Sequence, residues 1–277
     1  MDNFQLQAFE ADDRGDLPAA LELWKECAKS DVDGISSLKY GRVAMQLERW
    51  EESENALNQA LRLHPKSFLV EVIMGMLWFN RTDKDRIESL QIAKDRFLSA
   101  IQIKRDAPAL TLLGSAYAQL DDTTAAREAF EEAIEIYPNY DEALYNLAVI
   151  EEKTNPQKAR ELLERAIQID PEYALAHHML GRVFTRLKDL DRAEFHYRMC
   201  LKINPDEYWN LLYLAGLLVA RKQNTEAEEL YLHAIELSPE MAGAYEFYAR
   251  FLEKNGRVTE AAKMRAKIKP SERAREM

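Results

Sequence analysis

The chain has 277 residues, of which 47% are hydrophobic and 31% charged, with only nine glycines and nine prolines. That balance excludes a disordered, collagen-like or membrane-embedded chain, and the length allows a sizeable core in one large domain or two small ones. Thirty-seven Lys and Arg against 48 Asp and Glu leave a net charge of −11, which repels phosphate backbones and argues against nucleic acid as a main partner.

In chain order, the first residues, Met1-Asp2-Asn3-Phe4-Gln5, hold neither a basic patch nor an apolar stretch, so no signal peptide is expected. The segment near 1–33 then carries Ala8, Ala20, Trp24 and Cys27, and the same four slots recur down the chain. Near 34–67 they are Gly41, Ser53, Leu57 and Ala60; near 68–106, Gly75, Ala93, Phe97 and Ala100; near 107–140, Gly114, Ala126, Phe130 and Ala133. Near 141–173 they are Ala148, Ala159, Leu163 and Ala166; near 174–207, Gly181, Ala193, Tyr197 and Cys200; near 208–241, Ala215, Ala227, Tyr231 and Ala234. The segment near 242–270 has Ala249 and Ala261 but Arg265 in the large apolar slot. Pro65, Pro138, Pro171, Pro205 and Pro239 close five of the segments.

Within most segments the first two small residues are 12 apart, and the large apolar residue follows four later. Offsets of four and then three put residues on one helical face, and proline stops a helix. Each segment therefore predicts two antiparallel helices whose backbones approach closely at the small residues. A larger side chain there would overpack, typically at a cost of about 1–3 kcal/mol. The third segment has about six extra residues around Arg81 to Arg86, and the fifth is one residue short at Lys153-Thr154-Asn155-Pro156.

This pattern resembles the tetratricopeptide repeat family. The stretch from Ala107 to Tyr140 matches the family pattern nearly in full through Leu110, Leu113, Gly114, Tyr117, Ala126, Phe130, Ala133 and Pro138. The resemblance implies an all-α, right-handed solenoid of about eight helical hairpins over residues 1–270, followed by a frayed basic tail at 271–277. It also implies a concave groove lined by the first helix of each pair. The Lys/Asn/Lys/Arg clamp with which some relatives grip a chaperone tail is missing its lysines here. From Lys254 to Met277 there are eight Lys and Arg against three Glu, a local +5. That suits a soluble capping helix and tail.

Chemistry-bearing motifs are few. None of the five histidines forms H-E-x-x-H, there is no CxxC, and no phosphate loop or nucleophile motif appears. His177 takes the slot held elsewhere by Leu110, Leu144 and Leu211, so a packing role is expected. Cys27 and Cys200 are expected to act as small buried hydrophobes in a reducing compartment. No metal, no cofactor and no catalysis are expected.

Specificity must lie where repeats differ. The expected groove stripe of the sixth segment is His178, Arg182 and Arg186, a cationic column; that of the seventh includes Trp209, Leu212, Tyr213, Gly216 and Val219; that of the fifth, Tyr145, Asn146 and Val149. A basic strip beside an apolar wall suits a peptide with carboxylates and large apolar side chains. The competing expectation is that Arg182 and Arg186 pair with Glu152 or Asp189. A second candidate is the nearly all-apolar first helix of the third segment, with Leu69, Val72, Met76 and Phe79 as its groove stripe, covered either by the extra residues or by a partner.

The expected function is a non-catalytic, cytoplasmic scaffold that binds a protein or peptide partner, with no nucleic acid and no membrane. A monomer is expected rather than an oligomer. The alternative is a structural or regulatory subunit that binds through its outer face or ends.

Overall fold

Fixed spacing of small and large residues requires pairs of helices in van der Waals contact. In the computed structural model, which describes residues 3–268, the chain forms sixteen α-helices and, among the described residues, no strand. They are α1 (Asn3–Asp13), α2 (Leu17–Ala28), α3 (Ile35–Gln46), α4 (Trp50–Leu63), α5 (Phe68–Asn80), α6 (Arg86–Ile103), α7 (Ala107–Gln119) and α8 (Thr123–Ile136). There follow α9 (Asp141–Glu151), α10 (Pro156–Ile169), α11 (Ala174–Arg186), α12 (Leu190–Ile203), α13 (Tyr208–Ala220), α14 (Asn224–Leu237), α15 (Ala242–Lys254) and α16 (Val258–Lys267). These are eight helical pairs, each inside one repeat read from the spacing. The tail expected at 271–277 lies outside the described residues. The chain divides into two compact units, Met1–Asn146 and Leu147–Met277.

The first small slot explains itself at four glycines. A Cβ on Gly41 would sit 2.6 Å from the Leu57 side chain, on Gly75 2.4 Å from Phe97, on Gly114 2.6 Å from Phe130 and on Gly181 2.4 Å from Tyr197. In each hairpin the large residue of the second helix thus lies directly on the backbone of the first. The second slot is closed throughout: Ala20, Ser53, Ala93, Ala126, Ala159, Ala193, Ala227 and Ala261 are all fully buried. Ser53 alone brings a hydroxyl there, and it donates to the Gly41 carbonyl at 2.7 Å, so no polar group is stranded.

The turn between the paired helices is also repeated. One residue takes the left-handed conformation at Gly15, Glu48, Asp121, Lys188, Lys222 and Gly256. The third and fifth repeats, whose turns differ in length, lack it. At the four non-glycine positions the side chain meets the following carbonyl, at a cost of roughly 1–2 kcal/mol each. Close by, Asp16, Asp122, Asn155 and Asp189 cap the second helices through side-chain acceptors for the amides of Ala19, Ala125, Lys158 and Arg192. Each cap contributes about 1 kcal/mol.

Successive hairpins are tied by ion pairs. In the first unit Arg42 meets Asp12, Arg81 meets Glu54 at 2.7 Å and Arg105 meets Glu132 at 2.5 Å. In the second, Arg198 meets Glu226 at 2.7 Å, Arg221 meets Glu194 at 3.0 Å and Arg257 meets Glu228 at 2.6 Å. The exposed ones hold register more than they add stability. Arg81 differs: it is 2% exposed, is clasped by Glu54 and Asp83, and lies 4.6 Å over the Trp78 ring.

The extra residues of the third repeat are spent mainly on helix. The α6 helix has 18 residues where α8 has 14, one turn more, and the rest lengthen the loop before Asp85, which caps α6 at Glu88. In the last repeat, Arg265 replaces the large apolar residue and pairs with Glu246 and Glu253. An ion-paired arginine in place of a buried aromatic suits a hairpin with no described helix beyond it.

Gly181→Ala gains about 1 kcal/mol in helix propensity but drives its methyl into Tyr197, an overpacking cost of about 1–3 kcal/mol. The expected outcome is a lower urea midpoint with an unchanged slope, and partial recovery when Tyr197→Leu is added, since Leu163 fills the same slot opposite Ala148 in the fifth repeat.

Candidate interaction site

Residues four apart on a helix share a face, so α11 presents His178, Arg182 and Arg186 as one column. Opposite them stands Glu152, just past the end of α9 and 3% exposed. One of its oxygens accepts from Arg182 Nη2 at 3.0 Å and the other from Arg186 Nη2 at 3.2 Å. A buried carboxylate is costly unless paired and hydrogen-bonded; here two guanidiniums share one. Asp189 is not part of this group, since it pairs with Arg192.

The column is less cationic than the sequence suggests. His178 is 7% exposed, and its Nδ1 lies 3.1 Å from the side-chain oxygen of Asn210 on α13. That oxygen only accepts, so Nδ1 carries the proton. The Asn210 amide donates in turn to the Tyr197 carbonyl at 2.8 Å. Burial pushes the His178 imidazole down to about 4, so it is neutral at pH 7. The three-cation column becomes two arginines around one carboxylate, a net charge of +1.

Around this triad lies a cleft of about 240 Å³ lined by Glu152, Arg182, Thr185, Arg186, Tyr197 and Tyr213. The Arg182 guanidinium lies 5.3 Å over the Tyr213 ring, which is stacked on Tyr197 at 6.3 Å. Thr185 donates to the Gly181 carbonyl at 2.8 Å, which leaves its oxygen to accept from the Tyr197 hydroxyl at 3.4 Å. Arg182 is thus held by a carboxylate on one side and an aromatic face on the other, whereas the Arg186 side chain is 44% exposed.

The apolar wall needs one correction. Leu212, expected to face the groove, is 1% exposed and belongs to the core. Trp209 and Tyr213 are the exposed aromatic residues of α13, at 43% and 39%. Gly216 adds an opening, since a Cβ there would meet only the Tyr231 hydroxyl, 3.9 Å away. Tyr145 and Asn146 lie half-buried at the end of the first unit.

The second candidate is only partly open. Val72, Met76 and Phe79 are half-buried, and Leu69 alone is widely exposed, at 57%. Met76 and Phe79 pack on a core of Ala93, Phe97, Leu113 and Ala116. Arg86, the first residue of α6, lies 5.4 Å over the Phe79 ring and donates to the Phe79 carbonyl. Much of the cover therefore comes from within the unit.

Other groups singled out in the sequence are buried. His177 is 4% exposed. Burial lifts the Cys200 thiol to about 12, which removes the thiolate that reactivity needs. No group of three or more His, Cys, Asp or Glu among the described residues is placed to hold a metal ion. None of the described helices is long and apolar enough to cross a membrane. Asn210 is the site residue that periodicity alone overlooks. Its signal is a break in a column that is alanine at Ala109, Ala143, Ala176 and Ala244.

Comparison with known proteins agrees with this architecture. Tetratricopeptide repeat profiles match residues 105–172, 151–215, and both 6–68 and 213–271. A Drosophila melanogaster protein named protein O-mannosyl-transferase Tmtc2 is 36% identical over 81 residues, which is 28% of this chain and 8% of that protein. The chain thus spans less than a tenth of that relative. Among solved structures, pilF of Pseudomonas aeruginosa superposes with a TM-score of 0.68 at 17% identity, over 79% of this chain and 97% of that one. The Cut9-Hcn1 hetero-tetramer of the APC/C superposes with 0.69 at 16% identity, over 85% of this chain and 48% of that one.

Replacing Glu152 by Gln removes the charge that both guanidiniums share. Hydrogen bonds to charged groups contribute about 1.5–3 kcal/mol, so Glu152→Gln is expected to cost about 1–3 kcal/mol in a urea titration, and the loss should shrink when Arg182→Gln is combined with it.

Proposed function

The chain belongs to the tetratricopeptide repeat family, and from that premise we propose that it is a non-catalytic interaction scaffold that captures a peptide segment on the exposed faces of α11 and α13. The observation that carries this reading is the arginine pair fixed around one buried carboxylate beside two exposed aromatic rings. On a chain of net charge −11, a local excess of one positive charge selects acidic over basic segments. Arg186 supplies free N–H groups for a ligand carboxylate, with the fork geometry that favours bidentate contact. Trp209 and Tyr213 supply rigid apolar area at small entropic cost, as anchor residues do. Arg182 is already immobilised, so little ordering remains to be done on binding.

The design of the test follows from Glu152. Reversing both arginines would gather three carboxylates and unfold the site, so neutral changes are the informative ones. Against an array of short synthetic peptides that combine Asp or Glu with Trp, Phe or Leu, wild-type protein should enrich acidic–apolar sequences. For the best of these, Arg186→Gln should weaken Kd about tenfold, equivalent to about 1.4 kcal/mol. Trp209→Ser should weaken it by at least as much, and added salt should weaken the wild type more than Arg186→Gln. Unchanged affinity in both variants, with helicity preserved, would place binding elsewhere.

A further inference from the structure

The α11–α12 hairpin holds a buried pair of imidazoles that the interaction site does not use. His177 and His196 are 4% and 8% exposed, and their Nδ1 atoms are 3.0 Å apart. The protons can be placed. His177 Nε2 lies 3.2 Å from the Pro171 carbonyl, which only accepts, so Nε2–H is the protonated nitrogen of neutral His177 and its Nδ1 is bare. The bond between the rings then requires His196 Nδ1–H as donor. One bond thus joins α11 to α12 only while both rings are neutral or the pair carries a single added proton. With both rings protonated, two N–H groups point at each other across 3.0 Å and the contact must open.

We propose that the His177–His196 pair is a proton-sensitive latch that loosens the α11–α12 hairpin, and with it the Arg182–Arg186 face, on mild acidification. The surroundings oppose even the first proton. Phe184 stacks on His196 at 5.4 Å and Phe195 meets it edge-on at 5.1 Å. The charges that face the pair are Asp170, at the end of α10, which favours a proton on His177, and Arg192 of α12, which disfavours one on His196. Arg192 itself lies 4.4 Å over the Phe184 ring. Burial holds His177 below its ordinary value and pushes His196 down to about 4.

The direction follows from these shifts. Above the unfolded value near 6.5 neither state binds the protons and the pair has no pH dependence. As pH falls below that value the unfolded chain takes them up and the folded chain resists, so folding weakens, for His196 until its folded value of about 4 is reached. Fold alone does not require these residues. In the α13–α14 hairpin the same two positions, with the same separation, are Leu211 and Leu230.

The test compares the full-length chain with His177→Leu/His196→Leu in urea titrations at about pH 7.5 and about pH 5.5. The proton that His196 refuses should lower the folding equilibrium about tenfold over that interval, and the one resisted by His177 should add to that loss. The double variant should lack that part of the loss. On the wild type, nitrogen NMR should show protonated Nδ1 on His196 and protonated Nε2 on His177 at neutral pH. Hydrogen exchange should open α11 and α12 ahead of α7 and α8 as the pH falls. Equal pH slopes in the two proteins, or imidazoles that titrate near 6.5 in the folded chain, would overturn the proposal, and the NMR readout decides it even if the double variant fails to fold.

Discussion

Everything in this fold rests on how closely two helices can approach inside one hairpin. At Gly181 the backbone of α11 lies so near the Tyr197 ring that there is no room for a single methyl group. The same contact recurs at Gly41, Gly75 and Gly114 with Leu57, Phe97 and Phe130. It sets the distance between paired helices and fixes which face of each is hidden, and so decides which residues remain for other work. A hairpin of two short helices cannot bury its faces alone. The large residue therefore serves twice, as the filler of its own hairpin and as part of the surface on which the next one rests.

The site inherits its geometry from that packing. Tyr197 is held by the Gly181 contact, and Tyr213 is stacked on Tyr197. Tyr213 in turn offers its ring to the Arg182 guanidinium. The basic feature of the surface is thus built outward from the core in three contacts, and Glu152 fixes it from the other side. Two arginines without Glu152 would repel each other and wander. With it they lose part of their charge and gain a defined orientation. For recognition the exchange favours selectivity over attraction, since a preset fork discriminates between carboxylates better than a mobile one.

Much of this was legible in the sequence because repeats average out noise. Seven full copies of the small–small–large spacing, and an eighth that lacks the large residue, place the sixteen helices. The site was less legible, for reasons that are local. Periodicity places Leu212 on the outward stripe, but in α13 nearly every position is apolar, so the pattern has no contrast with which to locate the face. His178 reads as a potential cation because residue type carries no information about burial, and its partner Asn210 is 32 residues away. Glu152 could be named as a possible partner of the arginines, but its choice over Asp189 depended on a three-residue turn that spacing does not resolve. Left-handed Lys188 and Lys222 leave no signature, since lysine is an unfavourable choice there.

What remains is why the sixth hairpin departs from its neighbours at so many columns at once. His177 and His196 stand where the hairpins on either side have leucines, His178 breaks an apolar column and is matched by Asn210 on α13, and Arg182 and Arg186 add charge. Each polar group buried in a core lowers stability unless a partner satisfies it, and here each one is satisfied: His177 by His196 and Pro171, His178 by Asn210, Asn210 by Tyr197, and both arginines by Glu152. Satisfaction of this kind depends on several residues being right together, and the α13–α14 hairpin reaches the same fold with Leu211 and Leu230 in place of His177 and His196. A local rule broken repeatedly, at one place and in a mutually consistent way, marks a segment shaped by something other than stability. The physical consequence is a hairpin whose inner contacts respond to protons and whose outer face responds to charge, set within a scaffold whose other hairpins are held mainly by shape.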